Sequence, residues 1–174
     1  FASKFLKFGE YATARFSNIT INVSQNLVGY YKKKYNKDTV YIPNGVDLHK
    51  RIEPNIILKK YGLEKDSYIL FLARLVPEKG AHYLIDAFLK LDTDKKLVIA
   101  GGSSHSDDYV QSLHNQAKSN KNIIFTGFVK GEELAELYSN AYLYVLPSDI
   151  EGLPISLLEA MSFGNCCLTS DIPE

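Results

Sequence analysis

The chain has 174 residues, 45% of them hydrophobic and 23% charged, with 20 basic and 20 acidic side chains that cancel. That is the ordinary globular range and enough to bury a core, while no apolar run reaches the roughly 18 residues of a membrane-spanning helix and no leader pattern stands at the start. The two cysteines, Cys166 and Cys167, are adjacent, which excludes a disulfide framework or a four-ligand zinc site and leaves two buried strand residues as the expectation.

In chain order, residues 3–17 have helical spacing, with Phe5, Phe8, Ala12 and Phe16 recurring at three and four. Residues 19–23 read as a short strand. Ser24 is placed to cap a helix running to about Tyr35, and residues 39–42 read as another strand. Residues 1–37 hold seven bases against one acid, Glu10, so the rest of the chain carries the balancing acidic excess. Pro43-Asn44-Gly45 is turn chemistry, and residues 46–54 are polar and without period, a linker or a hinge. A short helix, 56–61, should stop at Gly62.

From there the pattern alternates. Apolar strands are expected at 68–73, 97–100, 122–125, 142–146 and 166–169. Helices are expected at 79–91, 107–118, 131–139 and 154–163, the first turning Tyr83, Leu84, Ala87, Phe88 and Leu91 inward. Five strands alternating with four helices predict an α/β fold: a Rossmann-like parallel sheet with helices on both faces. In such a sheet ligands sit at the carboxyl ends of the strands, and the unusual residues fall there.

Arg74 and Lys79 share the loop after the first of these strands, with Lys79 at a helix start, where a cation opposes the helix dipole. They are an anion site, Arg gripping phosphate oxygens in a fork and Lys as a point charge, or two solvated charges. Glu151 and Glu159 lie eight positions apart around Gly152-Leu153-Pro154. Pro154 suits a first helical turn, whose unpaired N–H groups bind phosphate readily. Glu159 shares a helix face with Ile155, Leu158 and Ser162, which allows it to point inward, where vicinal sugar hydroxyls would satisfy it. Phosphates between two sugars describe a nucleoside-diphosphate sugar. The plain alternative is one capping acid and one solvated acid.

These residues are also familiar. The E-x7-E pair within EGLPISLLEAMSFG, with ARLVPEKG (73–80), VIAGG (98–102), FTGFV (125–129) and YIPNGVD (41–47), resembles the retaining glycosyltransferases of family 4, of two-domain GT-B fold. The resemblance covers residues 41–174, with the motifs in the family's order. It implies that residues 44–174 are a C-terminal donor-binding domain, shortened at its end, and that residues 1–43 are the end of an incomplete N-terminal acceptor-binding domain. Both ends then read as cut, and the fragment alone is expected to be inactive.

By that resemblance, Arg74 and Lys79 hold the diphosphate and Glu159 holds the ribose. Glu151 is the catalytic residue, a carboxylate placed at the donor sugar near its reacting carbon, as nucleophile or as stabiliser. The amides of Gly152, Leu153 and Pro154's loop approach phosphate and sugar, and Phe128 and Val129 face the base. The reaction is transfer of a sugar from a nucleoside-diphosphate sugar to a glycan or lipid-linked acceptor, with retention. Ala73 replaces a common Gly, and Gly101-Gly102-Ser103-Ser104 replaces a Gly-acid-Gly turn. No cofactor and no metal is expected, since His49, His82, His105 and His114 are scattered and Arg74 and Lys79 take the leaving-group charge. The expected setting is cytoplasmic. Tyr30-Tyr31-Lys32-Lys33-Lys34-Tyr35 leaves peripheral contact at the inner membrane face open beside a simple solvated helix end; nothing resembles a nucleic-acid module. The other functions to weigh are a nucleotide-sugar epimerase of GT-B fold and a non-catalytic nucleotide-sugar-binding domain.

Overall fold

The computed structural model describes residues 2–172; Pro173 and Glu174, expected in a loop after the last strand, lie outside them. The chain forms two compact units, one of residues 2–45 with 151–154, the other of Val46–Ile150 with Ile155–Ile172.

The first unit holds α1 (Ala2–Phe16), β1 (Ile21–Asn22), α2 (Gln25–Tyr35) and β2 (Val40–Tyr41). The strands run parallel, Ile21 opposite Val40 and Asn22 opposite Tyr41, and are shorter than the apolar runs that predict them. Buried Asn22 interrupts the run and donates from Nδ2 to Thr39 Oγ1 at 2.8 Å. Ser24 occupies the N-cap position, but its hydroxyl makes no capping bond. The tyrosines and lysines of α2 converge on one acid of α1: Glu10 accepts from Tyr30 and, at 2.9 Å each, from Lys34 and Tyr35. The Tyr30 hydroxyl first, then Lys34, holds the Glu10 carboxyl down at about 2. Lys32 pairs with Asp38 at 2.8 Å. Asn44 closes the unit, its amide donating to the Leu153 carbonyl at 2.7 Å.

The second unit holds α3 (Ile56–Tyr61), β3 (Tyr68–Leu72), α4 (Ala81–Phe88), β4 (Lys96–Ala100), α5 (Asp107–Ala117), β5 (Ile123–Gly127), α6 (Gly131–Asn140), β6 (Leu143–Leu146), α7 (Ile155–Ser162) and β7 (Cys167–Thr169). The five strands of this unit form one parallel sheet in the order β5-β4-β3-β6-β7. The order reverses at β3, so right-handed crossovers put α4 and α5 on one face and α6 and α7 on the other. Accordingly α4 packs on α5, α3 on α6, and α7 on β6 and β7. The central strands are apolar throughout because both faces are covered: Tyr68 to Phe71 and Leu97 to Ala100 are all buried.

Two expectations need correction. The helix drawn from 79 to 91 is a 3-10 turn, Pro77–Lys79, then Gly80 in the left-handed region (φ 72), then α4 from Ala81. Restarting the helix at Ala81 sets its inward face as Ala81, Ile85 and Phe88, and Tyr83 and Leu91 lie exposed. The cysteines are not both buried: β7 is an edge strand, and Cys166 is exposed while Cys167 is half-buried.

The irregular stretch 46–54 is fastened rather than free within this unit. Arg51 donates to the carbonyls of Phe163 and Gly164, at 2.7 Å each, beyond the end of α7. Buried Glu136 of α6 caps α3, its Oε2 accepting the N–H groups of Asn55 at 3.0 Å and Ile57 at 2.9 Å.

Candidate functional site

In a doubly wound sheet the crevice opens where the strand order reverses, outside the carboxyl ends of the strands. Here that is between β3 and β6. The loops after β3 and β4 run on together past the sheet: Leu75 N–H donates to the Gly102 carbonyl at 3.0 Å, and Ser106 Oγ to the Leu75 carbonyl at 2.6 Å. Gly101 permits this. Its φ is 143, and a β-carbon there would lie 1.9 Å from the Ala73 oxygen.

The joined loops floor a groove of about 600 Å3 lined by Arg74, Gly101, Gly102, Phe128, Val129 and Leu134, among others. The glycines let a ligand approach the backbone. Val129 is buried, whereas Phe128 is 81% exposed, a bare ring available for stacking. Arg74 is exposed, and its guanidinium has no ion-pair or hydrogen-bond partner among the described residues. Lys79 ends the 3-10 turn, half-buried, and is not among the groove's lining residues. Its turn is tied to the loop after β6 by Asp149 N–H donating to the Glu78 carbonyl at 2.9 Å.

Leu134 also lines a second, smaller pocket of about 100 Å3, with Glu159 of α7, Tyr138 of α6, His49 and Phe163. Leu134 therefore separates the two cavities. Glu159 points into this pocket, as its helix face allows, although Ile155 of that face is exposed and Ala160 is the residue of α7 that is fully buried. The Tyr138 hydroxyl lies 3.0 Å from Glu159 Oε2 and 3.1 Å from the Ser156 carbonyl. Burial, then Tyr144 and the charge of Glu159, push the Tyr138 phenol far up, so it stays a protonated donor.

Glu151, Gly152, Leu153 and Pro154 form the segment that groups with residues 2–45. Pro154 immediately precedes α7. A β-carbon on Gly152 would meet Val23 Cγ2 at 3.5 Å, ordinary contact.

Sequence reasoning passed over Tyr138, Glu136 and Gly80. Tyr138 follows Leu134 and Leu137 at core spacing and reads as packing; nothing local marks its hydroxyl. Glu136 carried a signal, an acid on the apolar side of a helix. Among the described residues no three His, Cys, Asp or Glu side chains gather as metal ligands, and no helix is long and apolar enough to cross a membrane.

Residues 55–174 match the family model described as glycosyl transferases group 1. The chain belongs to that family. The match corrects the narrower assignment: what the motifs share is the group 1 family, and nothing singles out family 4. Among curated proteins, the chain is 35% identical over 182 residues to an uncharacterised glycosyltransferase of Methanocaldococcus jannaschii, covering 98% of this chain and 46% of that one. It is 30% identical over 141 residues to a UDP-Gal:α-D-GlcNAc-diphosphoundecaprenol α-1,3-galactosyltransferase of Escherichia coli, covering 75% and 36%. Among solved structures, Anabaena HepE in complex with UDP-glucose superposes with a TM-score of 0.85 at 24% identity, covering 99% of this chain and 50% of that one. That likeness shows the fold: a Rossmann-like parallel sheet with flanking helices, shared with half of the Anabaena chain. This group 1 chain spans about half the length, or less, of the relatives it matches.

Proposed function

We propose that the protein transfers a sugar from a nucleoside-diphosphate sugar to a glycan or lipid-linked acceptor, with retention of configuration. The observation that carries this is the pair of adjoining cavities. One is a glycine-floored groove with Arg74 on its wall and bare Phe128 beside it; the other contains an inward carboxylate, Glu159. A base fits against Phe128 and Val129, a diphosphate beside the glycines and Arg74, and a ribose at Glu159. Lys79 is assigned to the same diphosphate, its turn tied to the loop after β6. Family membership and the UDP-glucose complex of the Anabaena protein support a nucleotide-sugar donor. The Escherichia coli relative supports a lipid-linked acceptor.

Residues 44–174 act as the donor-binding domain and residues 1–43 as the end of the acceptor-binding domain. Glu151 is assigned to the donor sugar, and the loop of Gly152, Leu153 and Pro154 to its phosphate and sugar oxygens, with the N–H groups of Gly152 and Leu153 as the donors. As the diphosphate departs, Arg74 and Lys79 stabilise its negative charge, and Glu151 the positive character on the sugar carbon. Of the three lysines in the run 30–35, Lys32 and Lys34 are engaged by Asp38 and Glu10, which leaves Lys33 for a membrane contact by that run. The setting we assign is cytoplasmic, with peripheral contact at the inner face of the membrane as the alternative.

The test is calorimetric titration of UDP, GDP and ADP into the full-length protein, followed by a product assay on it with UDP-glucose and GDP-mannose. Binding of a nucleoside diphosphate and transfer of sugar to an acceptor are expected. An isomerised donor without transfer would establish an epimerase instead, and binding with no turnover a non-catalytic domain.

A further inference from the structure

Glu159 is not alone in its pocket. The hydroxyl of Tyr138 sits 3.0 Å from its Oε2. That hydroxyl has a single proton and two acceptors within reach, the carboxylate and the Ser156 carbonyl at 3.1 Å. The charged acceptor takes the proton, since a hydrogen bond to a carboxylate is stronger than one to a neutral carbonyl. Oε2 is therefore partly occupied from inside the protein.

The donor is also rigid. Tyr138 is 1% exposed. Its ring stacks on Phe163 with centroids 5.4 Å apart and planes 14° apart, and Phe163 stacks on His49 at 4.7 Å and 15°. Its backbone carbonyl accepts from Asn165 Nδ2 at 2.8 Å. A glutamate side chain has several rotatable bonds, and ordering it on ligand binding costs entropy. One fixed by a buried phenol has met that cost before the ligand arrives.

We infer that Tyr138 is a positioning residue for the donor. By holding Oε2, it orients the Glu159 carboxylate so that its remaining lone pairs accept both vicinal hydroxyls of the nucleotide ribose. The inference rests on the assignment of Glu159 to the ribose. It goes further in assigning a role to a residue that does not itself touch the ligand. Tyr144 is the built-in comparison. It is equally buried, and its hydroxyl reaches Ser156 Oγ at 2.9 Å and the Leu72 carbonyl at 3.2 Å.

The experiment titrates UDP and GDP, each against its 2′,3′-dideoxy counterpart, into the wild-type protein and three variants. In the wild type the ribonucleotide should bind more tightly than the dideoxy form. Tyr138→Phe should weaken ribonucleotide binding about tenfold and leave dideoxy binding unchanged, which also shows that the variant is folded. Tyr144→Phe should leave the ratio of the two at the wild-type value. Glu159→Gln tests the underlying assignment separately: if it keeps the wild-type ratio, or if wild type binds neither nucleotide, the ribose reading of Glu159 fails and the inference with it. If Glu159→Gln lowers the ratio and Tyr138→Phe does not, only the positioning role is overturned. Equal weakening of both ligands by Tyr138→Phe marks a merely structural tyrosine and also overturns it. Should Tyr138→Phe lose its folded near-ultraviolet signal, 3,5-difluorotyrosine at position 138 replaces it. That group keeps the shape and strengthens the donor, and an unchanged ratio then overturns the proposal.

Discussion

Gly80 lies against the backbone of Pro147 so closely that a β-carbon on it would stand 2.0 Å from the Pro147 oxygen. Its φ of 72 adds a second requirement for glycine. The contact joins the turn that presents Lys79 to the loop after β6, at the point where the strand order reverses. Gly80→Ala should therefore cost about 2–5 kcal/mol, the sum of left-handed strain and displaced backbone. Gly62 supplies the comparison. Its φ is 61, and the nearest atom to an added β-carbon is Lys96 Nζ at 3.5 Å, so Gly62→Ala should cost only the strain, about 1–2 kcal/mol. Urea unfolding of both variants measures the difference. Equal losses would mean that the approach to Pro147 contributes nothing.

Glu136 makes stability depend on pH. Burial pushes its carboxyl up, but the N–H groups of Ile57 and Asn55 outweigh that and hold it below the usual carboxylate range. A carboxyl lowered in the folded state contributes stability that is present above its unfolded value, about 4.3, and lost as pH falls through the folded value. Glu136→Gln should cost about 1.5–3 kcal/mol at pH 7, for charge-assisted bonds to α3. The gap from wild type should shrink as the pH drops below about 4. Denaturant melts at pH 7 and pH 3 check this; a constant gap would remove Glu136 from the acid response.

Most of the sheet was legible because its signal is local. A strand covered on both faces reads as an unbroken apolar run, as Tyr68 to Leu72 does, and alternation with helices fixes the crossovers. Gly62 announced the end of α3 because only the chain's own φ is at issue there. Gly80 was misread for the opposite reason. It looks like an ordinary helix residue, and what forbids a side chain is Pro147, far along the chain. Tyr138 was hidden in the same way, since its apolar ring satisfies the core pattern and only the fold brings its hydroxyl to Glu159. Charged residues at strand ends were visible as candidates. What the spacing left out was that Arg74 lines the groove whereas Lys79 does not.

Arg74 and Lys79 should each matter for diphosphate binding. The Arg74 guanidinium lies on the groove wall without a partner among the described residues, so no internal ion pair must break for it to bind an anion. Each alanine variant should lose about 1.5–3 kcal/mol of affinity for UDP or GDP, the worth of one charge-assisted contact. Arg74→Lys should recover only part of the loss, because an ammonium cannot grip two oxygens in a plane. Calorimetry on the three variants decides; affinities all equal to wild type would place the diphosphate elsewhere.

Glu151 and Glu159 should fail in different ways. Glu159 lines its pocket with one oxygen held by Tyr138, whereas Glu151 belongs to the segment that packs with residues 2–45. Glu159→Gln keeps the shape and removes a charged acceptor for ribose hydroxyls, so it should weaken nucleotide binding with or without an attached sugar. Glu151→Gln should bind free UDP or GDP nearly as well as wild type and lower kcat instead, because its charge is used only when positive character develops on the sugar carbon. If both acids were merely structural, the two variants would show similar losses in Tm, with binding and turnover falling together. Steady-state kinetics and nucleotide affinity, measured on both variants of the full-length protein, separate the cases. Normal turnover by Glu151→Gln would sink its assignment to the donor sugar. Unchanged nucleotide affinity in Glu159→Gln would do the same for the ribose.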